Sequence, residues 1–259
     1  MALHEKKVQD FRLIGNRRIN KEYFILELES ETLLPEIKPG QFAQLRIDNA
    51  PDVFLRRPIS FYNVDNTKKS IQLLIQEVGK GTRKLAETEP GEIINLIYPL
   101  GNSFSLPENR KVIIIGGGVG VAPLLFLGKY LKENNIEPEF LLGFRNKDLL
   151  TDLSDFELYG RVFLTTDDGS AGEKGTVLDH SILNNGLKGY SRIYTCGPEI
   201  MMKAVGEFAG KNGIDCEVSL ENTMACGFGA CLCCVQNTVH GNLRVCMEGP
   251  VFNTQEIKW

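Results

Sequence analysis

Apolar and polar residues alternate through the first third of the chain, which is the pattern of half-buried β-strands. The clearest segments are Phe24 to Glu29, Ala43 to Ile47 and Ile71 to Ile75. In the second segment, Gln44 and Arg46 fall on the face opposite to the apolar residues. Gly- and Pro-containing turn signals separate the segments. Several short strands with such breaks predict a small antiparallel β-barrel.

The pattern changes near residue 110, where Val112 to Ile115 form a continuous apolar run. Such a run is typical of a parallel strand that is buried on both faces. Helices are predicted from Pro123 to about Asn134 and from Pro198 to about Asn212. Further strands are predicted at Phe140 to Leu142, Val162 to Thr165 and Ile193 to Thr195. This alternation predicts an α/β domain with a parallel sheet and right-handed crossovers.

The tail after about Glu217 is rich in Cys and Gly and offers few apolar residues for a core. We therefore expect a metal cluster to hold its shape. The predicted fold class is multidomain, β plus α/β. Its three units are an antiparallel barrel at 1–106, a parallel-sheet domain at 107–215 and a small cluster-binding domain at 216–259.

Composition and charge exclude some classes of partner. The formal net charge is −4, so the chain has no strong basic excess for nucleic acid or an anionic membrane. Residues 1–15 lack the apolar stretch of a secretory signal. The longest uncharged run, Val112 to Gly128, contains five Gly and one Pro, which favours a strand, a turn and a helix over a membrane span. We expect a cytoplasmic protein.

Five of the seven cysteines lie between residues 226 and 246. Four of them, Cys226, Cys231, Cys234 and Cys246, have the plant-type spacing of a [2Fe–2S] cluster. Gly227 and Gly229 lie inside the loop, where close backbone approach and positive φ angles are easy for glycine. A structural zinc site and a chance spacing remain alternatives, although zinc sites usually use Cys-x2-Cys in pairs.

The remaining cysteines and His240 have simpler interpretations. Cys233 adjoins Cys234, so one of the two must turn away, and we expect Cys233 to be a buried residue that is not a ligand. Cys216 lies in a strand-like segment and is expected to be a packed core thiol. We expect His240 to be a loop residue, because four cysteines already suffice.

The glycine-rich segment from Gly116 to Pro123 follows a buried strand and opens a helix. This arrangement suits phosphate binding, because bare backbone and a helix N-terminus face the anion. Tight packing is the alternative reason for so many glycines. The segment ends in Pro123, so it departs from the fingerprint of the Rossmann dehydrogenases. Thr195 to Pro198 ends a late strand at a helix start, where open α/β sheets bind ligands.

Two shorter motifs in the first third are compatible with a flavin nucleotide. Arg56 to Ser60 would offer an arginine fork for a pyrophosphate and a hydroxyl for a flavin ring nitrogen. Gly81 and Thr82 would offer backbone N–H groups and a second hydroxyl. Each motif alone is explained as well by a turn or a surface pair.

Together, the order Arg-Pro-Ile-Ser, Gly-Thr, GGGVGVAPL and Cys-Gly-Pro resembles the ferredoxin–NADP⁺ reductase superfamily over about residues 5–215. With the cysteine tail, the whole chain resembles the electron-transfer subunits of type B dihydroorotate dehydrogenases. The resemblance implies that the barrel binds FAD, the parallel-sheet domain binds NAD and the tail binds [2Fe–2S]. Ile59 stands where the superfamily often has Tyr, so the flavin ring loses an aromatic neighbour.

The resemblance also implies roles for individual residues, though it assigns no catalytic residue. Arg57 would meet the FAD pyrophosphate and Ser60 the flavin ring. The other implied FAD contacts are Pro58, Ile59, Leu74, Ile75, Gln76, Gly81 and Thr82. The implied NAD contacts are Gly117, Gly118, Gly120, Cys196 and Gly197. The implied cluster ligands are Cys226, Cys231, Cys234 and Cys246.

The implied activity is a relay in pyrimidine biosynthesis. An FMN-containing catalytic subunit of dihydroorotate dehydrogenase oxidises dihydroorotate, and electrons pass singly through [2Fe–2S] to FAD, which reduces NAD⁺ by hydride transfer. Two copies of each subunit would form a heterotetramer. No motif in this chain indicates an orotate site, so the partner is needed.

Two alternatives stay open. The first is the small subunit of another NAD(P)H-dependent oxidoreductase, of the ferredoxin–NADP⁺ or sulfide dehydrogenase type, in which we expect a carboxylate to replace one cluster cysteine. The second is a non-enzymatic nucleotide sensor with a zinc-binding tail. The choice of NAD over NADP rests on the resemblance, and Arg145 leaves NADP open.

Overall fold

The N-terminal third forms a sheet of seven antiparallel strands in this computed structural model, which describes residues 6–107, 111–185 and 187–259. The strands are β1 (Lys7–Arg18), β2 (Tyr23–Glu29), β3 (Phe42–Leu45), β4 (Arg57–Ser60), β5 (Asn63–Asp65), β6 (Ser70–Gln76) and β7 (Ile93–Leu100), and helix α1 (Lys80–Ala86) precedes β7. Their order is β4-β3-β7-β1-β2-β6-β5. Because β4 also contacts β6, the sheet curves back on itself, and the predicted antiparallel barrel is confirmed.

A second seven-stranded sheet follows. Its strands are β8 (Val112–Gly117), β9 (Pro138–Phe144), β10 (Arg161–Thr166), β11 (Glu173–Lys174), β12 (Arg192–Cys196), β13 (Asp215–Ser219) and β16 (Val251–Asn253). Its helices are α2 (Ala122–Glu133), α3 (Leu153–Glu157) and α4 (Glu199–Lys211). Strands β14 (Val235–Thr238) and β15 (Gly241–Arg244) form a separate hairpin.

The order of the second sheet is β11-β10-β9-β8-β12-β13-β16, and every pair is parallel except β13 with β16. The strand order reverses between β8 and β12, which makes this the topological switch point where ligands bind in open α/β sheets. Strand β8 is buried throughout, as its apolar run predicted. Helices α2 and α4 occur where the sequence predicted them, with Pro198 immediately before the first residue of α4.

The barrel and the second sheet share a core. Tyr23, Ile25 and Leu74 from the barrel pack in one apolar cluster with residues of β8, α2 and β9. The Tyr62 hydroxyl donates to Asp155 at 3.1 Å, and the Lys129 ammonium group donates to the carbonyl of Val64 at 2.6 Å. These contacts fix the cleft between the two sheets. No helix in residues 6–107, 111–185 or 187–259 is long and apolar enough to cross a membrane.

The C-terminal tail has a larger core than the sequence indicated. Val245, Phe252 and Ile257 are buried against Phe42 and Leu100 of the barrel. The expectation that this segment lacks room for a core is therefore wrong, because its apolar residues pack on the other two units. Strands β13 and β16 also extend the second sheet, and the exact domain boundaries stay a prediction.

Asn102, just after β7, anchors the tail to the barrel. Its side-chain amide donates to the carbonyls of Glu248 and Val251 at 2.9 and 2.8 Å. Its side-chain oxygen accepts from the backbone N–H of Val251 at 2.9 Å. One side chain therefore satisfies three backbone groups of the segment that carries the cysteines.

Asn102→Ala should lower the free energy of unfolding by about 1–3 kcal/mol, because the buried backbone groups lose their partners. Urea unfolding of the loaded protein measures this change. Asn134→Ala is the matched control, since the Asn134 amide makes one exposed bond at a helix end. Equal unfolding midpoints for the two variants would contradict the anchoring role.

Candidate functional site

The cleft between the two sheets contains two adjoining cavities of about 370 and 430 Å³. Residues from both sheets line each cavity. Gln76, Val119 and Glu221 line both, so the cavities meet at these side chains. Volumes of this size are in the range of ligand sites.

The first cavity collects most of the residues predicted for FAD. Those that line it are Arg57, Pro58, Ile59, Ser60, Leu74, Ile75, Gln76 and Thr82. Gly81 lies against the Arg57 side chain, and a Cβ atom at Gly81 would be 2.6 Å from Nε of Arg57. A larger residue at position 81 would displace the Arg57 guanidinium, so a glycine is needed at position 81 for Arg57 to keep this position. The Thr82 hydroxyl accepts from the N–H groups of Val78 and Gly79 and thus holds the turn.

The two neighbouring arginines have different surroundings. The Arg56 guanidinium donates to the carbonyls of Gln44 and Asn95 and to the Asn95 side chain, so it braces the barrel. Arg57 lines the cavity and donates to the carbonyl of Leu55 at 2.7 Å. The positions of these side chains favour Arg57 as the residue that would meet a pyrophosphate.

The second cavity lies at the switch point and is lined by Gly117, Gly118, Gly120 and Gly197. A Cβ atom at Gly120 would be 2.4 Å from the Cα of Gly197, so the two glycine turns are in direct contact. Gly197 also has a φ of +157°. This bare, closely packed backbone fits a nucleotide that must approach the ends of β8 and β12.

Cys196 lies beneath this turn. Its side chain is buried next to Ser219. Burial, followed by the nearby charge of Glu221, raises the pKa of the Cys196 thiol well above its usual value. The thiol is therefore protonated at neutral pH, and its predicted role near the nicotinamide stays a prediction.

Glu221 is a candidate that the sequence analysis missed. Its side chain is exposed to solvent and lines both cavities. It follows the end of β13 in an irregular segment, so no motif marks it. Only the topology of the sheet brings it to the point where the two cavities meet.

The second cavity also contains two groups that bear on nucleotide choice. Arg145 and Asp167 line it at the carboxyl ends of β9 and β10, and the N–H of Asp167 donates to the carbonyl of Phe144. Asp167, which no sequence motif marked, thus sets a carboxylate beside the Arg145 guanidinium in the wall of this cavity.

The four predicted cluster ligands form two pairs. Cys226 lies beside Cys231, and the backbone N–H of Cys246 donates to the Sγ of Cys234 at 3.4 Å. Two pairs fit two bridged irons that each take two thiolates.

The loop between these cysteines is shaped for close approach. Gly227 and Gly229 have φ angles of +75° and +86°, as predicted. The Arg244 guanidinium donates to the carbonyl of Gly229 at 3.2 Å and pairs with Glu248. Arg244 therefore acts as a clamp that ties the cysteine loop at Gly229 to Glu248.

Backbone groups of the loop favour a thiolate at its first cysteine. Burial raises the pKa of Cys226, but N–H groups of Phe228, Cys231 and Ala230 outweigh it and lower that pKa to about 6. Because metals bind the thiolate, this cysteine is ready for iron at neutral pH.

The other predictions for the cysteines are mostly confirmed. Cys234 is 2% exposed while Cys233 is exposed, so the adjacent pair does point in opposite directions. The prediction that Cys233 is buried is wrong, because the buried direction is taken by Cys234. Cys216 is a packed core thiol, as predicted, and His240 lies in the turn between β14 and β15.

The cluster site and the first cavity share a wall. Cys234 and Cys246 pack in one apolar cluster with Phe42, Leu220 and Met224, and these three side chains also line the first cavity. On the opposite side, Cys231 is exposed, as are Phe228 and Leu232. Cys234 and Cys246 are therefore buried in the cluster that borders the cavity, whereas Cys226 is half-buried and Cys231 lies at the surface.

Known proteins resemble this chain over nearly its whole length. Residues 221–258 match the iron–sulfur cluster binding domain of dihydroorotate dehydrogenase B. Dihydroorotate dehydrogenase B (NAD⁺) electron transfer subunits from Desulforamulus reducens and Caldanaerobacter subterraneus subsp. tengcongensis are 37% and 38% identical. These matches cover 98% and 95% of this chain, and 99% and 96% of those proteins.

The chain belongs to this family of electron transfer subunits. A solved structure of an NADH-dependent reduced ferredoxin-NADP oxidoreductase, described in work on flavin-based electron bifurcation, is also similar, with a TM-score of 0.87 and 29% identity over 96% of this chain and 90% of that one. The ferredoxin reductase of carbazole 1,9a-dioxygenase shares the fold, with a TM-score of 0.71 and 21% identity over 83% of this chain and 68% of that one. The family model that matches the tail is an iron–sulfur cluster binding domain, and the individual FAD, NAD and cluster contacts stay predictions.

Cys231→Ser should lose most of its iron and acid-labile sulfide, because the surface-facing pair then keeps one thiolate. Cys233→Ser should retain both, since Cys233 points away from the two pairs. The iron and acid-labile sulfide contents per chain are measured for both variants and for wild type after anaerobic purification. Equal content in Cys231→Ser and wild type would remove Cys231 from the ligand set.

Arg57→Ala should weaken FAD binding about ten- to a hundred-fold, because a charged hydrogen bond contributes about 1.5–3 kcal/mol. Fluorescence titration of the FAD-free protein measures the dissociation constant. Arg83→Ala, at an exposed position of α1, is the control and should bind like wild type. An unchanged constant in Arg57→Ala would mean that another group meets the pyrophosphate.

Proposed function

We propose that this chain is the electron-transfer subunit of an NAD-dependent dihydroorotate dehydrogenase in pyrimidine biosynthesis. Its partner would be an FMN-containing catalytic subunit that oxidises dihydroorotate, with two copies of each chain in the assembly. The shared wall between the cluster site and the first cavity carries the proposal, together with the names of the relatives.

The residues of the site divide among three groups. Arg57, Ser60 and their neighbours in the first cavity would hold FAD, and the glycine turns of the second cavity would hold NAD. The two cysteine pairs would hold [2Fe–2S]. When bound, the flavin exchanges a hydride with the nicotinamide and single electrons with the cluster.

The chain itself positions these groups and excludes water between them. Phe42, Leu220 and Met224 fill the space between the buried cysteines and the first cavity with apolar side chains. Glu221 and Gln76 stand where the two cavities meet, so they can contact both a flavin and a nicotinamide. In this proposal the redox groups would be neighbours, with apolar side chains between the cluster and the first cavity.

The surface around the exposed cysteine pair suits a protein partner. Phe228 is 49% exposed and Leu232 is 61% exposed, and both flank Cys231 in the loop. Exposed aromatic and aliphatic side chains on a rigid loop are typical of the centre of a protein interface. We propose that the catalytic subunit docks here, because electrons must reach the cluster from outside this chain.

A second candidate is the small subunit of an NADH-dependent ferredoxin-NADP oxidoreductase, and the TM-score of 0.87 to that structure favours it. In that class of subunit, a carboxylate is expected in place of one cluster cysteine. Here all four positions are cysteine, and the two pairs are intact. This observation, with the higher identity to the dihydroorotate relatives, favours the first proposal.

Cys231→Ser is the variant that tests the relay. Without the cluster it should still oxidise NADH with an artificial dye, because hydride transfer needs only the two cavities. Mixed with the FMN-bearing subunit, it should lose dihydroorotate-dependent NAD⁺ reduction. Both activities are measured on the same preparation, with Cys233→Ser as the control that should keep both.

Two results would contradict the proposal. Dihydroorotate-linked NAD⁺ reduction that survives in the cluster-free complex would show that electrons bypass the cluster. Turnover of dihydroorotate by the isolated wild-type chain would show that no catalytic partner is needed.

A further inference from the structure

Gln44 is a buried side chain without a hydrogen-bond partner. It lies on β3 and is 0% exposed, and neither Nε2 nor Oε1 has a partner among the described residues. Its backbone carbonyl, by contrast, accepts from Arg56. Buried polar side chains are nearly always satisfied, so an orphaned carboxamide indicates a group that the protein chain does not supply.

The carboxamide lies against the cluster loop. A Cβ atom on Gly227 would be 2.7 Å from Cγ and 2.8 Å from Nε2 of Gln44. Gly227 directly follows Cys226, and its φ of +75° turns the loop at this point. The glycine therefore leaves the space that the glutamine side chain fills beside the first cysteine pair.

We propose that Gln44 is a positioning residue whose amide N–H donates a hydrogen bond to a sulfur of the bound cluster. Such a bond stabilises the reduced cluster, which carries more negative charge, and hydrogen bonds to the sulfurs are one determinant of cluster potential. The inference rests on the cluster ligands proposed above. The proposed bond also explains why a glutamine is buried here, because burying an amide without a partner costs more free energy than burying an apolar side chain.

Gln41 supplies a matched control. It is also buried, but its side chain accepts from the N–H of Lys38 at 2.8 Å and donates to the carbonyl of Gly101 at 3.0 Å. Gln41 therefore has a structural role that the described residues explain fully. The side chain of Gln41 thus has hydrogen-bond partners within the described residues, whereas the side chain of Gln44 has none.

The test is an EPR-monitored redox titration of Gln44→Met and Gln41→Met in the cluster- and FAD-loaded protein. Gln44→Met should lower the equilibrium constant for cluster reduction about three- to tenfold, which is about 30–60 mV. Its FAD potential should equal that of wild type. Gln41→Met should lower the melting temperature and leave the cluster potential unchanged.

A full complement of iron with an unchanged cluster potential in Gln44→Met would overturn the inference and leave the proposed function intact. A wild-type chain that binds no iron would instead overturn the proposed cluster ligands. If Gln44→Met does not fold, the hydrogen bond is tested by pulsed EPR of a chain whose glutamine side chains are labelled with ¹⁵N. This chain also carries Gln236→Met, because Gln236 lies two residues after Cys234 and its label could give a signal of its own. A ¹⁵N coupling to the reduced cluster supports the bond, and its absence contradicts it.

Discussion

The contact on which the rest of the site depends is the packing of Cys234 and Cys246 against the apolar wall of the first cavity. Two redox groups exchange electrons well only when they are close and when the medium between them is fixed. The tail achieves both by burying apolar residues on the barrel and by adding β16 to the second sheet. The Asn102 anchor and the Arg244 clamp then hold the cysteine loop in one position.

A second constraint acts at the switch point of the parallel sheet. The turns at Gly120 and Gly197 touch so closely that neither tolerates a side chain. This contact opens the second cavity between the ends of β8 and β12 and brings it beside the first. Because Glu221 and Gln76 belong to both cavities, a flavin and a nicotinamide bound there would be neighbours. In the proposed function, the cluster, the flavin and the nicotinamide would therefore follow one another from the cysteine loop to the second cavity.

The sequence predicts what depends on local pattern. The apolar run of β8, the helix that follows the glycine turn and the positive φ angles of Gly227 and Gly229 were each predicted from local pattern and are confirmed. Burial that depends on packing between distant segments was not predicted. The alternation along β3 predicts that Gln44 lies on the polar face of the strand, yet the cysteine loop covers its side chain. Glu221 and the exposed Cys233 were missed for the same reason. Roles of individual residues toward cofactors stay predictions.

The central claim is that the cluster and the flavin are neighbours within this one chain, and spin relaxation measures that directly. In a partly reduced sample, the flavin radical should relax much faster in wild type than in Cys231→Ser, because the reduced cluster is a nearby paramagnet. The sample is poised at a potential where the flavin radical and the reduced cluster are both present, and the comparison does not need the partner subunit. Equal relaxation rates in the two proteins, with a full cluster in wild type, would contradict the shared wall and the relay built on it.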